Sequence, residues 1–167
     1  MKIYIKGREF RETEYYGKRI LLDTMILCYA HDVLSPYREK AKLLILAGLR
    51  GLYIPYVSVQ NILEFYSVVT SRKVKKPLSP AKASRIAVMY LSSKRIKKLY
   101  PKNIKEALEY AAENNVKNGD VFDVVLAYTA KGEVDYVWTQ NVSDFRNFEF
   151  FKVENPLEFK IELGEDN

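Results

Sequence analysis

Two residue types are almost missing from this chain of 167 residues, which has one cysteine, Cys28, and one histidine, His31. A single cysteine excludes an internal disulfide, and one residue of each kind excludes a Cys/His zinc site and a pair of catalytic histidines. No window approaches the roughly 18 consecutive apolar residues that a spanning helix requires, and the opening MKIYIKGREFRE has no signal-peptide core. These features predict a cytoplasmic protein with no membrane contact. Internal repeats and low-complexity tracts are also missing. Any chemistry must therefore rest on carboxylates, hydroxyls, amides, Lys or Arg.

What is present fits one globular domain: 48% of the residues are hydrophobic and 29% charged, enough apolar material for a sheet covered by helices. The formal net charge is +6, with basic clusters at RKVKK (72 to 76) and KRIKK (94 to 98). Such clusters suit a polyanionic partner, and they equally suit the solvated helix ends and loops of a Lys-rich protein.

RILLD (19 to 23) reads as a buried strand with Asp23 at its carboxyl end. A helix is expected from Ser35 as N-cap, with Pro36 at its first position and Gly51 as terminator. LYIPY (52 to 56) resembles a second strand. Ser58 then opens a helix that carries Glu64, and after a loop rich in Lys, Pro and Ser another helix starts at Ser79 and Pro80. Asn103 and Glu106 form a capping-box-like start for a helix ending near Asn118 and Gly119. NGDVFDVVLAYTA supplies the next helix, with Asp120 as its expected N-cap; DYVWT (135 to 139) and FEFFKV (148 to 153) read as strands. The first 18 residues suit either a small hairpin or a loosely packed terminus, ahead of a main domain over 19 to 160 and a tail over 161 to 167.

Strands alternating with helices predict a mostly parallel sheet with helices on both faces, and in such folds ligands gather beyond the carboxyl ends of the strands. Asp23, Asn141 and Asp144 fall on that rim, and Asp120 and Asp123, at a helix N-terminus, can face it. Taken singly, each acid has an ordinary explanation. Asp23 can cap a turn, Glu64 can lie on a polar stripe with Asn61, and Asp120 and Asp123 can serve the leading N–H groups of their helix. Thr139, Asn141 and Asp144 can be turn chemistry. Their shared placement is what points to a site.

LLDTMILCYA, the helix leading into LEFYSVVTSRKVKKPLSP, the stretch DVFDVVLAYTAKGEVDYVWTQNVSDF and the closing VENPLEF together resemble the successive blocks of PIN-domain proteins, particularly the VapC-type toxins. The resemblance covers about residues 18 to 159. It implies a Rossmann-like α/β/α sandwich and a metal-dependent ribonuclease. By position, Asp23, Glu64, Asp123 and Asp144 match the four acids of the family, and Thr139 and Asn141 its supporting residues. Asp120 is not a motif position and is at most a supporting one. The chain departs at Met25, where the family usually has Asn.

Hard oxygen ligands without His or Cys favour Mg²⁺ or Mn²⁺. Arg72, Lys73, Lys75 and Lys76 are candidates for holding the RNA backbone. The resemblance further implies a cognate antitoxin and a homodimer. The alternatives are a PIN-like RNA-binding or scaffolding protein with weakened catalysis and an RNA-processing nuclease outside a toxin–antitoxin pair. A phosphatase of the haloacid-dehalogenase kind would need an acid where Met25 stands.

Overall fold

Five parallel strands form the centre of the chain in a computed structural model that describes residues 2–164. They are β3 (Arg19–Leu22), β4 (Ile54–Ser58), β5 (Lys97–Leu99), β6 (Tyr136–Trp138) and β7 (Lys152–Glu154), in the order β5-β4-β3-β6-β7. Every pairing is parallel, and Leu21, in the middle strand, stands opposite Tyr56 on one side and Val137 on the other.

The pleat of the strands separates two cores, because successive side chains point to opposite faces. Ile20, Leu22, Tyr136 and Trp138 join a core with α1 (Thr24–His31), α2 (Arg38–Leu49), α3 (Val59–Val69) and α4 (Pro80–Ser92). Leu21, Val137 and Leu99 face a second core with α5 (Ile104–Glu113), α6 (Asp120–Ala130) and Phe145 of α7 (Val142–Phe145). The result is the expected α/β/α sandwich. A separate antiparallel sheet is made by β1 (Lys2–Ile5), β2 (Arg8–Glu9) and β8 (Ile161–Gly164), in the order β2-β1-β8.

Where a local cap decides, sequence and structure agree. Ser58 accepts from the Asn61 N–H in a capping box that opens α3, and Ser79 accepts from the Lys82 N–H ahead of Pro80 to open α4.

Elsewhere tertiary contacts displace the sequence reading. The apolar run after Asp23 is a helix that the sequence reading leaves unassigned; α1 is buried on several sides and so lacks the polar stripe that marks a surface helix. The helix expected from Ser35 begins at Arg38, since Ser35 Oγ accepts from the Tyr37 N–H in a turn and the residue before the helix makes no side-chain cap. The strand expected at 52 to 56 is displaced to Ile54–Ser58, with Tyr53 buried and its hydroxyl donating to the Leu44 carbonyl at 2.9 Å. Asn103 is left-handed (φ 57°) and spends its amide on the Tyr128 carbonyl instead of a cap, and α5 stops at Glu113, before the left-handed Asn115.

Three further corrections concern strands and the tail. KRIKK runs into β5, which begins at Lys97, because Ile96 and Leu99 are buried on either side of its lysines. Only the end of the expected strand at 148 to 153 is extended, and its Phe148 turns into the second core. Residues 161–164, read as tail, pair with β1 along its full length. Met1 of the expected N-terminal segment and residues 165–167 of the expected tail lie outside the described residues.

Candidate active site

The middle strand ends at Leu22, so Asp23 emerges at the carboxyl rim between the ends of β4 and β6. It is both the N-cap of α1 and the best-held carboxylate of the rim. Oδ1 accepts from the Thr24 N–H at 2.8 Å and from Asn61 Nδ2 at 3.3 Å, and Oδ2 accepts from the Thr139 hydroxyl at 2.7 Å. Its residue is only 9% exposed, so these donors replace water. Burial raises the Asp23 pKa; the Thr139 and Thr24 hydrogen bonds oppose that rise, and the charges of Glu64 and Asp144 add to it.

Glu64 reaches the same place from the middle of α3. The Thr24 hydroxyl donates to its Oε2 at 2.8 Å, and Gln60 Nε2 donates to its Oε1 at 2.9 Å. Gln60 Nε2 also donates to the Phe122 carbonyl at 3.1 Å, which ties α3 to α6. Asn61 is fully buried; its Oδ1 accepts from Ser58 at the cap of α3, while its Nδ2 donates to Asp23 and, at 3.1 Å, to the Thr24 hydroxyl.

Asp123 projects from the first turn of α6 and Asp144 from α7, and both line one cavity. Burial, followed by the charges of Asp144, Asp23, Glu64 and Asp120, pushes the Asp123 carboxyl up to about 7. The four acids thus sit within one another's fields. Among the described residues none of them has an ion pair within 4.0 Å.

Asp120 lines the same cavity but is not the cap of α6. Gly119 occupies that position, and the helix has no side-chain cap, so Asp120 and Asp123 are both first-turn acids. Thr139 holds Asp23 and accepts from the Asn141 N–H at 3.0 Å, whereas the exposed Asn141 side chain makes no cap for α7. Met25 packs on the first core beside Cys28, Val68 and Val69. Arg72, Lys73, Lys75 and Lys76 are exposed in the connection from α3 to α4, which starts roughly 8 Å beyond Glu64 along the helix axis.

Thr24, Gln60 and Asn61 are the polar partners that the sequence reading did not assign. A signal for Asn61 was present. Asn61 stands three residues after the Ser58 cap and three before Glu64, so one helix face had to carry all three. Thr24 gave no such signal, since its partner lies 40 positions away.

The donor set suits a hard divalent cation in kind: four carboxylates share a rim, with no Lys or Arg paired to any of them among the described residues. The spacing is open. Among the described residues no group of three or more Asp, Glu, His or Cys side chains is arranged to hold a metal ion as it stands.

No protein-family model and no curated protein matches the chain. Solved structures do. VapC20 of Mycobacterium tuberculosis, described as a sarcin-ricin loop cleaving toxin, is 14% identical over 80% of this chain and 98% of its own, with a TM-score of 0.61. VapBC2 from Rickettsia felis, solved bound to a DNA fragment from its promoter, is 19% identical over 82% and 98%, with a TM-score of 0.56. PAE2754 from Pyrobaculum aerophilum is 16% identical over 81% and 89%, with a TM-score of 0.53. Across about four fifths of its length the chain shares its fold with these structures, VapC20 and VapBC2 among them, and that fold is the α/β/α sandwich that the PIN-domain resemblance implies.

Proposed function

We propose that the protein is a divalent-metal-dependent endoribonuclease, the toxin of a toxin–antitoxin pair, with its nuclease unit in residues 19–160. The observation that carries this reading is the hydrogen-bonded chain from Thr139 through Asp23, Asn61 and Thr24 to Glu64, beside Asp123 and Asp144, which have no ion pair among the described residues. Fold likeness to a sarcin-ricin loop cleaving toxin and to VapBC2 supports it.

In this reading Asp23, Glu64 and Asp123 hold Mg²⁺ or Mn²⁺, with Asp144 completing the set. A bound ion supplies a more acidic water and offsets charge on the phosphodiester and its leaving oxygen. The chain's own part is positional. Thr139, Thr24 and Asn61 fix both oxygens of Asp23 before any ligand arrives, and Thr24 and Gln60 fix those of Glu64. Preset ligands of this kind avoid the cost of ordering them at each turnover. Arg72, Lys73, Lys75 and Lys76 hold the RNA backbone against the repulsion of the rim.

Met25 packs on the first core, and the polar contacts to Asp23 and Glu64 come from Asn61 and Thr24. With the resemblance come a cognate antitoxin and a homodimer, and the cytoplasmic location expected from the sequence is part of this proposal.

The test is cleavage of single-stranded and structured RNA by pure protein. Activity appears with Mg²⁺ or Mn²⁺, disappears in EDTA and is absent from Asp23→Asn; robust cleavage in EDTA overturns the mechanism. Expression of the wild type arrests growth of a suitable host and Asp23→Asn does not, whereas equal harmlessness at matched levels removes the toxin role.

A further inference from the structure

The cavity lined by Asp123 and Asp144 has a second wall of different chemistry. Tyr110 of α5 and Phe148, after α7, line it with their ring centroids 5.2 Å apart, and Asn114 and Asn147 add two exposed carboxamides. Asn114 donates through Nδ2 to the Tyr110 carbonyl at 2.9 Å, which keeps its Oδ1 free to accept. The Asn147 side chain has no hydrogen-bond partner among the described residues.

An aromatic ring offers little to a hard metal ion or to a phosphate, and a neutral amide can serve a base edge as well as either. Ring and amide together suit a flat ligand with apolar faces and a polar edge: bases stack on aromatic side chains, and amides pair with base edges. The cavity volume of about 330 Å³ is at the low end of the range for small-molecule sites, which suits one nucleoside-sized group. It opens beside two of the acids assigned to the phosphodiester, so its occupant belongs to the nucleotide at the bond to be cut.

We propose that this cavity receives the unstacked base of the nucleotide flanking the scissile phosphate, with Tyr110 as stacking platform and Asn147 as reader of the base edge. This rests on the ribonuclease reading and adds to it a subsite for one base, which a base held within a duplex cannot enter.

The test measures binding in Mg²⁺ of a labelled 2′-O-methyl RNA strand and of an abasic strand of equal length. Wild type binds the base-bearing strand more tightly. Tyr110→Ala weakens that strand about tenfold or more and leaves the abasic strand unchanged, and Tyr110→Phe binds as wild type does. Asn147→Ala alters the order of affinities among the four homopolymers. Equal binding of the two strands by wild type, or equal loss from both in Tyr110→Ala, overturns the proposal. If Tyr110→Ala does not fold, the exposed Asn147 decides: an unchanged homopolymer order in Asn147→Ala overturns it. Cleavage of unmodified RNA by the same wild-type protein separates the two readings. Base-dependent binding without cleavage removes the nuclease and keeps the subsite; cleavage without base-dependent binding does the reverse.

Discussion

Thr24 and Glu64, 40 positions apart in the chain, are joined by a 2.8 Å hydrogen bond from the Thr24 hydroxyl to Glu64 Oε2. The same hydroxyl accepts from Asn61 at 3.1 Å, so one buried side chain orients an acid on α3 and an amide that reaches Asp23.

Thr24→Val keeps the volume and removes the hydroxyl. It leaves Asn61 with one acceptor fewer and Glu64 held, among the described residues, by Gln60 alone. The expected result is a loss of about 10- to 100-fold in Mg²⁺ affinity or cleavage, with a stability cost of about 1–3 kcal/mol; Thr24→Ser stays close to wild type. Mg²⁺ titration of activity beside urea unfolding checks this, and an unaltered Mg²⁺ dependence in Thr24→Val removes the positioning role.

Asp123 and Asp120 share the first turn of α6 but not its chemistry. Asp123→Asn should nearly abolish metal-dependent cleavage while leaving stability unchanged or higher, because it removes one of several mutually repelling charges. Asp120 is exposed and caps nothing, so Asp120→Ala should cost at most about 1 kcal/mol, its share of the favourable helix-dipole interaction. Cleavage and thermal unfolding of both variants provide the comparison; full activity in folded Asp123→Asn would restrict this acid to serving the helix.

The acid rim also predicts a pH dependence in the absence of divalent ions. Burial and the neighbouring charges raise Asp123 to about 7, against about 3.9 in an unfolded chain. Between these values the folded protein binds more protons than the unfolded one. Stability should therefore fall as pH rises from about 4 to about 7 and level off above. Asp23, also raised, acts in the same direction. Urea unfolding in EDTA across this window should show a shallower slope for Asp123→Asn; a slope identical to that of wild type contradicts the assignment.

The loop after α3 is predicted to contribute through charge alone. Replacing Lys73, Lys75 and Lys76 together with Ala should weaken RNA binding and reduce the slope of log affinity against log salt by about 2 for a single strand. An unchanged slope makes these lysines merely solvated.

What the sequence determined by itself is local. The helix starts at Ser58 and Ser79 were legible because a cap and its N–H partner lie three residues apart, and the strand at RILLD was legible as a short apolar run closed by an acid. The alternation of strands and helices, and with it a parallel sheet with Asp23 at its carboxyl rim, followed from that pattern. Only the tertiary structure decided what those local signals could not contain. Asp23 owes its orientation to Thr139, 116 residues away, and to Asn61, 38 away. α1 was hidden because burial on several sides erases its periodicity, and β8 because a strand needs the edge of β1 to become one. Asp120 lost its expected cap to Gly119, since the turn over Lys117 to Gly119 sets where the helix can begin. Caps and periodicities span a few residues and are written in the chain, whereas the partners of a buried carboxylate are chosen by which strand ends the sheet brings side by side.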